Sequence, residues 1–154
     1  MQYVKIASVF SHANRGKTPS YVETSDICVI NQACIKWDEI DYSKVKYQDS
    51  TSVNPDALLK DGDVLINSTG TGTLGRCNVF FAPDDRLYMA DTHVTVLRGS
   101  IGINPYIIKY FFMRRDTQQN LYSQCVNGST NQIELSKEKL RAFRVPFPTQ
   151  EEQR

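Results

Sequence analysis

The sequence predicts an α+β fold: a single domain with a curved mixed β-sheet built from its first two thirds and flanked by C-terminal helices. Three observations carry this. Short β-rich runs at Ile27–Ile30, Val64–Asn67 and Thr92–Arg98 alternate with Gly, Pro and Asp turn signals. Helix start signals come late, at Asn104-Pro105 and at Ser136. The 154 residues, 40% hydrophobic and 23% charged, suit one domain with a core of ordinary size.

The elements follow in order. Residues 3–10 alternate loosely and read as a first strand. Gly16-Lys17-Thr18-Pro19-Ser20 is loop, because Pro19 biases Thr18 away from helix. Asp56–Lys60 suits one helical turn. Asp61-Gly62-Asp63 is a turn, its acids read as solvated, and Val64–Asn67 is a buried strand. A Thr/Gly loop, Ser68–Gly75, leads to a strand at Cys77–Phe81 and a turn at Pro83-Asp84-Asp85. Helices are expected near 105–120 and 136–144. In the first, Ile107, Ile108, Phe111 and Phe112 share one face. In the second, Leu140 and Phe143 turn inward. The aromatic set Tyr110, Phe111, Phe112 and Phe143 reads as core. Pro146 and Pro148 end the second helix. Thr149-Gln150-Glu151-Glu152 then fits a capping box, a start signal for another helix. The expected division is 1–148 for the domain and 149–154 for the start of a truncated helix.

Bulk properties exclude several classes. The longest apolar runs are too short to span a bilayer, and the N-terminus lacks a signal-peptide core, so a cytoplasmic protein is expected. Four cysteines, at 28, 34, 77 and 125, form no CxxC pair, and His12 and His93 stand far from any cysteine pair; no metal site and no cofactor is expected. Net charge is +1, but cations gather at Arg98–Arg115 and at Lys137–Arg144.

Catalytic motifs fail on context. Gly70-Thr-Gly72-Thr-Leu-Gly75 matches GxGxxG, yet a strand follows where a dinucleotide fold needs a helix. Gly16-Lys17-Thr18 ends like a P-loop, but Ser11 stands where the first glycine belongs. Asn104-Pro105-Tyr106 lacks the second proline of an amino-methyltransferase loop. Asp91 and His93 sit on an expected strand with no nucleophile assignable to them. No enzyme activity is expected.

Four segments in order carry a resemblance: Gly16–Ser20; Lys60-Asp-Gly-Asp-Val-Leu-Ile-Asn-Ser-Thr-Gly70 with its continuation to Arg76; Asp91-Thr-His-Val-Thr-Val-Leu-Arg98; and Gly128-Ser-Thr-Asn-Gln-Ile-Glu-Leu135, closed by Val145–Gln153. Together they resemble the target-recognition domain of type I restriction–modification specificity subunits. The resemblance implies sequence-specific recognition of double-stranded DNA, each domain reading one half of a bipartite target. It implies modification (methyltransferase) subunits and a restriction subunit as partners. It also implies a second recognition domain, held through a spacer helix that Pro-x-x-x-Glu-Gln opens and that is absent here. A β-rich ligand- or protein-binding module unrelated to DNA is the alternative.

Loops rich in Thr, Ser, Asn, Gln and Gly suit DNA, because small side chains permit close approach while hydroxyls and amides donate and accept. The candidate DNA-binding residues are Lys17, Thr18, Gln32, Thr69, Thr71, Thr73, Arg76, Ser129, Thr130, Asn131 and Gln132. Lys17 and Arg76 supply charge, Arg76 with the option of a bidentate guanine contact. Gln32, with Asn31 beside it, suits adenine.

Overall fold

The computed structural model describes residues 2–99, 102–129, 131–149 and 151–153. In chain order the first elements are β1 (Gln2–Lys5), α1 (Ile6–Val9), β2 (Phe10–Arg15), β3 (Tyr21–Val22), β4 (Ile27–Ile30), β5 (Lys46–Gln48), β6 (Val64–Asn67) and β7 (Cys77–Val79). There follow β8 (Leu87–Ala90), β9 (Val94–Gly99), α2 (Pro105–Met113), α3 (Arg115–Cys125), β10 (Val126–Asn127), β11 (Glu134–Leu135), α4 (Lys137–Ala142) and β12 (Arg144–Phe147).

The class is α+β, and the strands divide between two four-stranded sheets. One is antiparallel, ordered β2-β9-β6-β7; the other is mixed, ordered β3-β5-β4-β8, with β4 and β8 parallel. Two short antiparallel ribbons, β1-β12 and β10-β11, complete the set.

The antiparallel sheet is the middle of three layers. Val64, Ile66 and Leu97 pack with Ile108, Phe112, Leu121 and Phe143 on the helical side. Leu65, Val94 and Val96 pack with Cys28, Ile30, Phe80 and Tyr88 on the side of the mixed sheet. Cover on both faces explains why Val64-Leu65-Ile66-Asn67 runs apolar without alternation: all four residues are buried. The four cysteines are buried free thiols.

Local chemistry sets the boundaries. The stretch 3–10 is not one strand. Ile6 and Phe10 lie four residues apart and are both buried in the same cluster, and the single turn of α1 between them hands the chain from the β1-β12 ribbon to the antiparallel sheet. Asn104 caps α2 by accepting from Tyr106 N–H, with Pro105 in the first turn. The helical stretch breaks at Arg114, whose extended backbone (ψ 139°) separates α2 from α3. Arg114 then holds Asp116, in the first turn of α3, through two bonds of 3.0 and 2.8 Å. Ser136 caps α4 through Lys139 N–H, and Leu140 and Phe143 are buried as expected. Tyr110 departs from the expected core: it is 59% exposed, on the outer face of α2. Pro146 is tolerated because β12 pairs with β1 alone.

Candidate nucleic-acid interface

Five loop segments meet at one end of the antiparallel sheet, and backbone bonds fix their order. Gly16 N–H donates to Val94 O and Lys17 N–H to Ala90 O, so the loop after β2 lies on the β8–β9 turn. A Cβ on Gly16 would come within 2.1 Å of Ala90 O, so only glycine allows this approach. Ser68 N–H donates to His93 O, which seats the Thr/Gly loop on the same turn. Leu135 N–H donates to Ser68 O, and Thr69 bridges Glu134, which brings the β10–β11 hairpin alongside. Asn67 Nδ2 donates to Gln32 O at 3.1 Å and ties in the turn after β4.

Three side chains join where these loops meet. Thr69 Oγ1 donates to Gln32 Oε1 at 2.9 Å and lies 2.8 Å from His93 Nδ1. Gly70, at φ +93°, makes room: a Cβ there would stand 2.3 Å from Thr73 Oγ1 and 3.0 Å from Gln32 Oε1. Asp91 and His93 lie in a turn, not on a strand: β9 begins at Val94, and Asp91 Oδ1 accepts from His93 N–H at 2.9 Å. Burial raises the Asp91 carboxyl pKa, and that N–H bond opposes the rise.

The other candidates distribute as follows. Lys17, Thr18 and Thr71 are exposed. Thr73 is half-buried and uses its hydroxyl inside its own loop, donating to Thr69 O at 3.1 Å. Ser129, Asn131 and Gln132 are exposed at the hairpin tip, where Gln132 N–H closes a turn on Ser129 O. Thr130 lies outside the described residues. Arg76 stands apart from the Gln32–Thr69–His93 group, near enough to Tyr122 of α3 to lower that phenol's pKa against the effect of burial. Tyr122 in turn donates to Leu74 O at 2.9 Å.

The charge pattern also resolves. Arg98 is engaged by Asp63, which is 1% exposed and not a solvated turn residue. Lys109 is buried and Arg114 is paired with Asp116, so the Arg98–Arg115 stretch is not an open basic surface. The His12 imidazole pKa is lowered first by burial, then by Arg98, with Asp63 opposing, and Lys17 and Lys137 lower it further from two other elements. Arg15, beside them, ties β2 to β11 through Leu135 O at 3.1 Å and Glu134 at 3.5 Å.

His93 is the member of this group that the sequence reading did not place among the candidate residues. Its signal was its place in the third segment of the resemblance, one residue before a strand.

No group of three or more His, Cys, Asp or Glu lies together among the described residues, and none of their helices is long and apolar enough to cross a membrane.

An α+β domain that gathers polar loops at one end of a sheet is the design of a DNA reader built on loops. The chain belongs to the type I restriction modification DNA specificity domain family, which it matches over residues 1–154. That family makes it a specificity module, not a catalyst.

Solved structures share the fold. A chain from work on the assembly and conformational transition of a type I R-M system aligns with a TM-score of 0.67 at 16% identity, over 99% of this chain and 35% of that one. The HsdS subunit of Thermoanaerobacter tengcongensis gives 0.64 at 14%, over 99% and 39%. The type I S subunit of M. genitalium gives 0.61 at 11%, over 95% and 34%. The chain thus spans between 34 and 39% of these relatives' length. No curated protein matches the sequence.

Proposed function

We propose that this domain reads one half of a bipartite duplex target within a type I restriction–modification assembly, and that modification and restriction subunits carry out the chemistry at or from that site. The observation that carries the reading is the meeting of the Gly16–Lys17 loop, the turn at Gln32, the start of the Thr/Gly loop at Ser68 and Thr69, the His93 turn and the β10–β11 hairpin at one end of the sheet, with Lys17, Thr71 and His93 exposed. Lys17 and Lys137 supply phosphate attraction; the amide and hydroxyl groups supply base contacts.

Residues 1–148 form the reading domain in this proposal, and 149–154 begin a spacer helix. Support comes from the capping box itself: Thr149 N–H donates to Glu152 Oε2 at 2.7 Å, and Glu152 N–H donates to Thr149 Oγ1 at 3.2 Å. A second recognition domain, held through that helix, would read the other half-site.

The test is a random-site duplex library offered to this chain together with modification subunits, with the modified sequence as readout. A short consensus dependent on this chain is expected. Modification without any consensus, or no modification at all, would refute the reading.

A further inference from the structure

Proton accounting at Thr69 leads beyond the loop set described above. A threonine hydroxyl has one proton, and a glutamine Oε1 can only accept. Thr69 therefore gives its proton to Gln32 Oε1, at 2.9 Å. Its remaining bond, to His93 Nδ1 at 2.8 Å, must then run the other way, with Nδ1–H donating to Thr69 Oγ1. This places the proton of neutral His93 on Nδ1 and leaves Nε2 as a bare acceptor. The second imidazole nitrogen and the Gln32 amide NH2 have no partner among the described residues, while His93 itself is exposed.

We propose that His93 is a base-reading residue, and that Gln32, Thr69 and His93 form one unit that offers a donor beside an acceptor. Gln32 Nε2 supplies the donor and His93 Nε2 the acceptor. The adenine edge in the major groove shows the complementary pair, an acceptor at N7 and a donor at N6. Guanine shows two acceptors there, and its O6 would meet the His93 lone pair. The unit therefore favours adenine over guanine at one position. Thr69 is a positioning residue: it touches no base, but it fixes the imidazole tautomer and holds the glutamine carbonyl.

The surroundings fit this role. Asp91 Oδ1 holds the His93 N–H at 2.9 Å and Ser68 N–H holds the His93 carbonyl, so the backbone beneath the ring is pinned on both sides. Asp91, on the same loop, interacts electrostatically with His93 and with Lys46 of β5, and the Lys17 N–H on the neighbouring loop meets Ala90 O.

The proposal rests on the DNA-reading function above, and two measurements separate their failures. The first is the 15N spectrum of the His93 imidazole in the intact chain at a pH where the ring is neutral. The Nδ1–H tautomer is expected, and Thr69→Val should release it to a mixture while Thr69→Ser retains it. An Nε2–H tautomer would mean that the Gln32 amide is turned over, and would overturn the proposal without any DNA present. The second is the random-site library with modification subunits. His93→Ala and Gln32→Ala should each relax the same adenine position by about tenfold, and the pair together should relax it little further. Thr69→Val should relax it too, with Thr69→Ser close to the parent. A parent consensus that His93→Ala leaves unchanged, while Lys17→Ala still weakens binding, would refute the base-reading role and leave the DNA reading standing. A parent that yields no consensus would overturn both.

Discussion

Asp63 and Arg98 meet through two parallel bonds: Arg98 Nε reaches Asp63 Oδ1 at 2.8 Å, and Nη2 reaches Oδ2 at 2.7 Å. Asp63 precedes β6 and Arg98 lies in β9, one residue before its end, so the pair locks neighbouring strands of the middle sheet. Asp63 also accepts from Lys60 N–H at 2.8 Å, and Arg98 reaches Leu58 O at 3.3 Å. Removing the acid strands a guanidinium that is only 24% exposed. Asp63→Ala should therefore destabilise the fold by about 2–4 kcal/mol, a little below the value for a wholly buried pair. Asp61→Ala, two residues away, removes one exposed bond to Ala82 N–H and should cost about 1 kcal/mol or less. Urea midpoints of the two variants decide this; equal midpoints would contradict the pairing.

Acid should loosen the 36–45 region through Asp41. Its carboxyl is held down to about 2 by the Ser43 hydroxyl first and then by Lys36, against an ordinary value of 3.8. A carboxylate held below its unfolded value stabilises the fold fully above that value. The contribution fades as pH falls from 3.8 toward about 2. Asp41→Asn should flatten the fall of Tm across that window and leave the slope near neutral pH unchanged. A parent and variant with parallel Tm profiles down to pH 2 would rule the contribution out.

Gly16 and Lys17 make a coupled prediction. Gly16→Ala drives a methyl group against backbone at Ala90 and Asp91, which cannot rotate aside. A destabilisation of about 1–3 kcal/mol is expected. The same change displaces the Lys17 loop from the β8–β9 turn. Lys17→Ala should leave stability unaltered, weaken all duplex sequences alike, and lower the salt slope of binding by about one. Binding isotherms across a salt series check both. An unchanged slope would remove Lys17 from the phosphate contacts.

Arg76 tests whether the reading surface reaches round toward α3. If its guanidinium meets a guanine edge, Arg76→Ala should cost about 1–3 kcal/mol at one position and leave the others alone. If it meets phosphate instead, the loss will be uniform across sequences and the salt slope will drop. The library consensus separates these. No change in either would restrict the surface to the side of Gln32 and His93.

What the sequence disclosed depended on range. Asn104-Pro105 and Ser136 announced α2 and α4 because a cap is a contact over two or three residues. Val64–Asn67 announced a buried strand by its unbroken apolar run. The β3 and β5 pair was not legible: Tyr21 and Val22 are exposed, and what makes them strand is Gln48 and Tyr47, more than two dozen residues on. Arg114 gave no breaker signal: α2 ends there without Pro or Gly, and the Arg114–Asp116 pair spans the break. At the site, the Thr/Gly loop was visible by composition. The chain Gln32–Thr69–His93 was not, since its three members lie 37 and 24 residues apart and only the fold brings them together.

Gln153 clamps the capping-box segment to the start of α2. Its Oε1 accepts from Asn104 N–H at 2.7 Å, and its Nε2 donates to Gly102 O at 2.6 Å and to Pro148 O at 3.2 Å. A helix that begins at Thr149 would leave the domain in a direction set by α2, because Asn104 is also the α2 cap. Two effects can then be separated in a version of the chain that carries a following helix with apolar heptads, whose coiled-coil seam holds two domains at a fixed spacing. Thr149→Ala removes the cap and should cost about 1 kcal/mol of helix stability. Gln153→Ala keeps the cap but frees the helix from α2, so helix content should hold while the spacing between half-sites becomes less strictly selected. On its own, without modification subunits, the unextended chain should bind duplex weakly with little discrimination, since a second domain turns its own contact into an intramolecular one. The extended dimer should prefer an inverted repeat, because a two-fold axis presents the same surface twice. The measurement is a duplex library in which half-site spacing is varied one base pair at a time in the presence of modification subunits. A Gln153→Ala protein with the parent's sharp spacing preference would show that the clamp sets no geometry. Site-selective binding by the unextended chain, as tight as the extended form, would show that the second domain adds nothing.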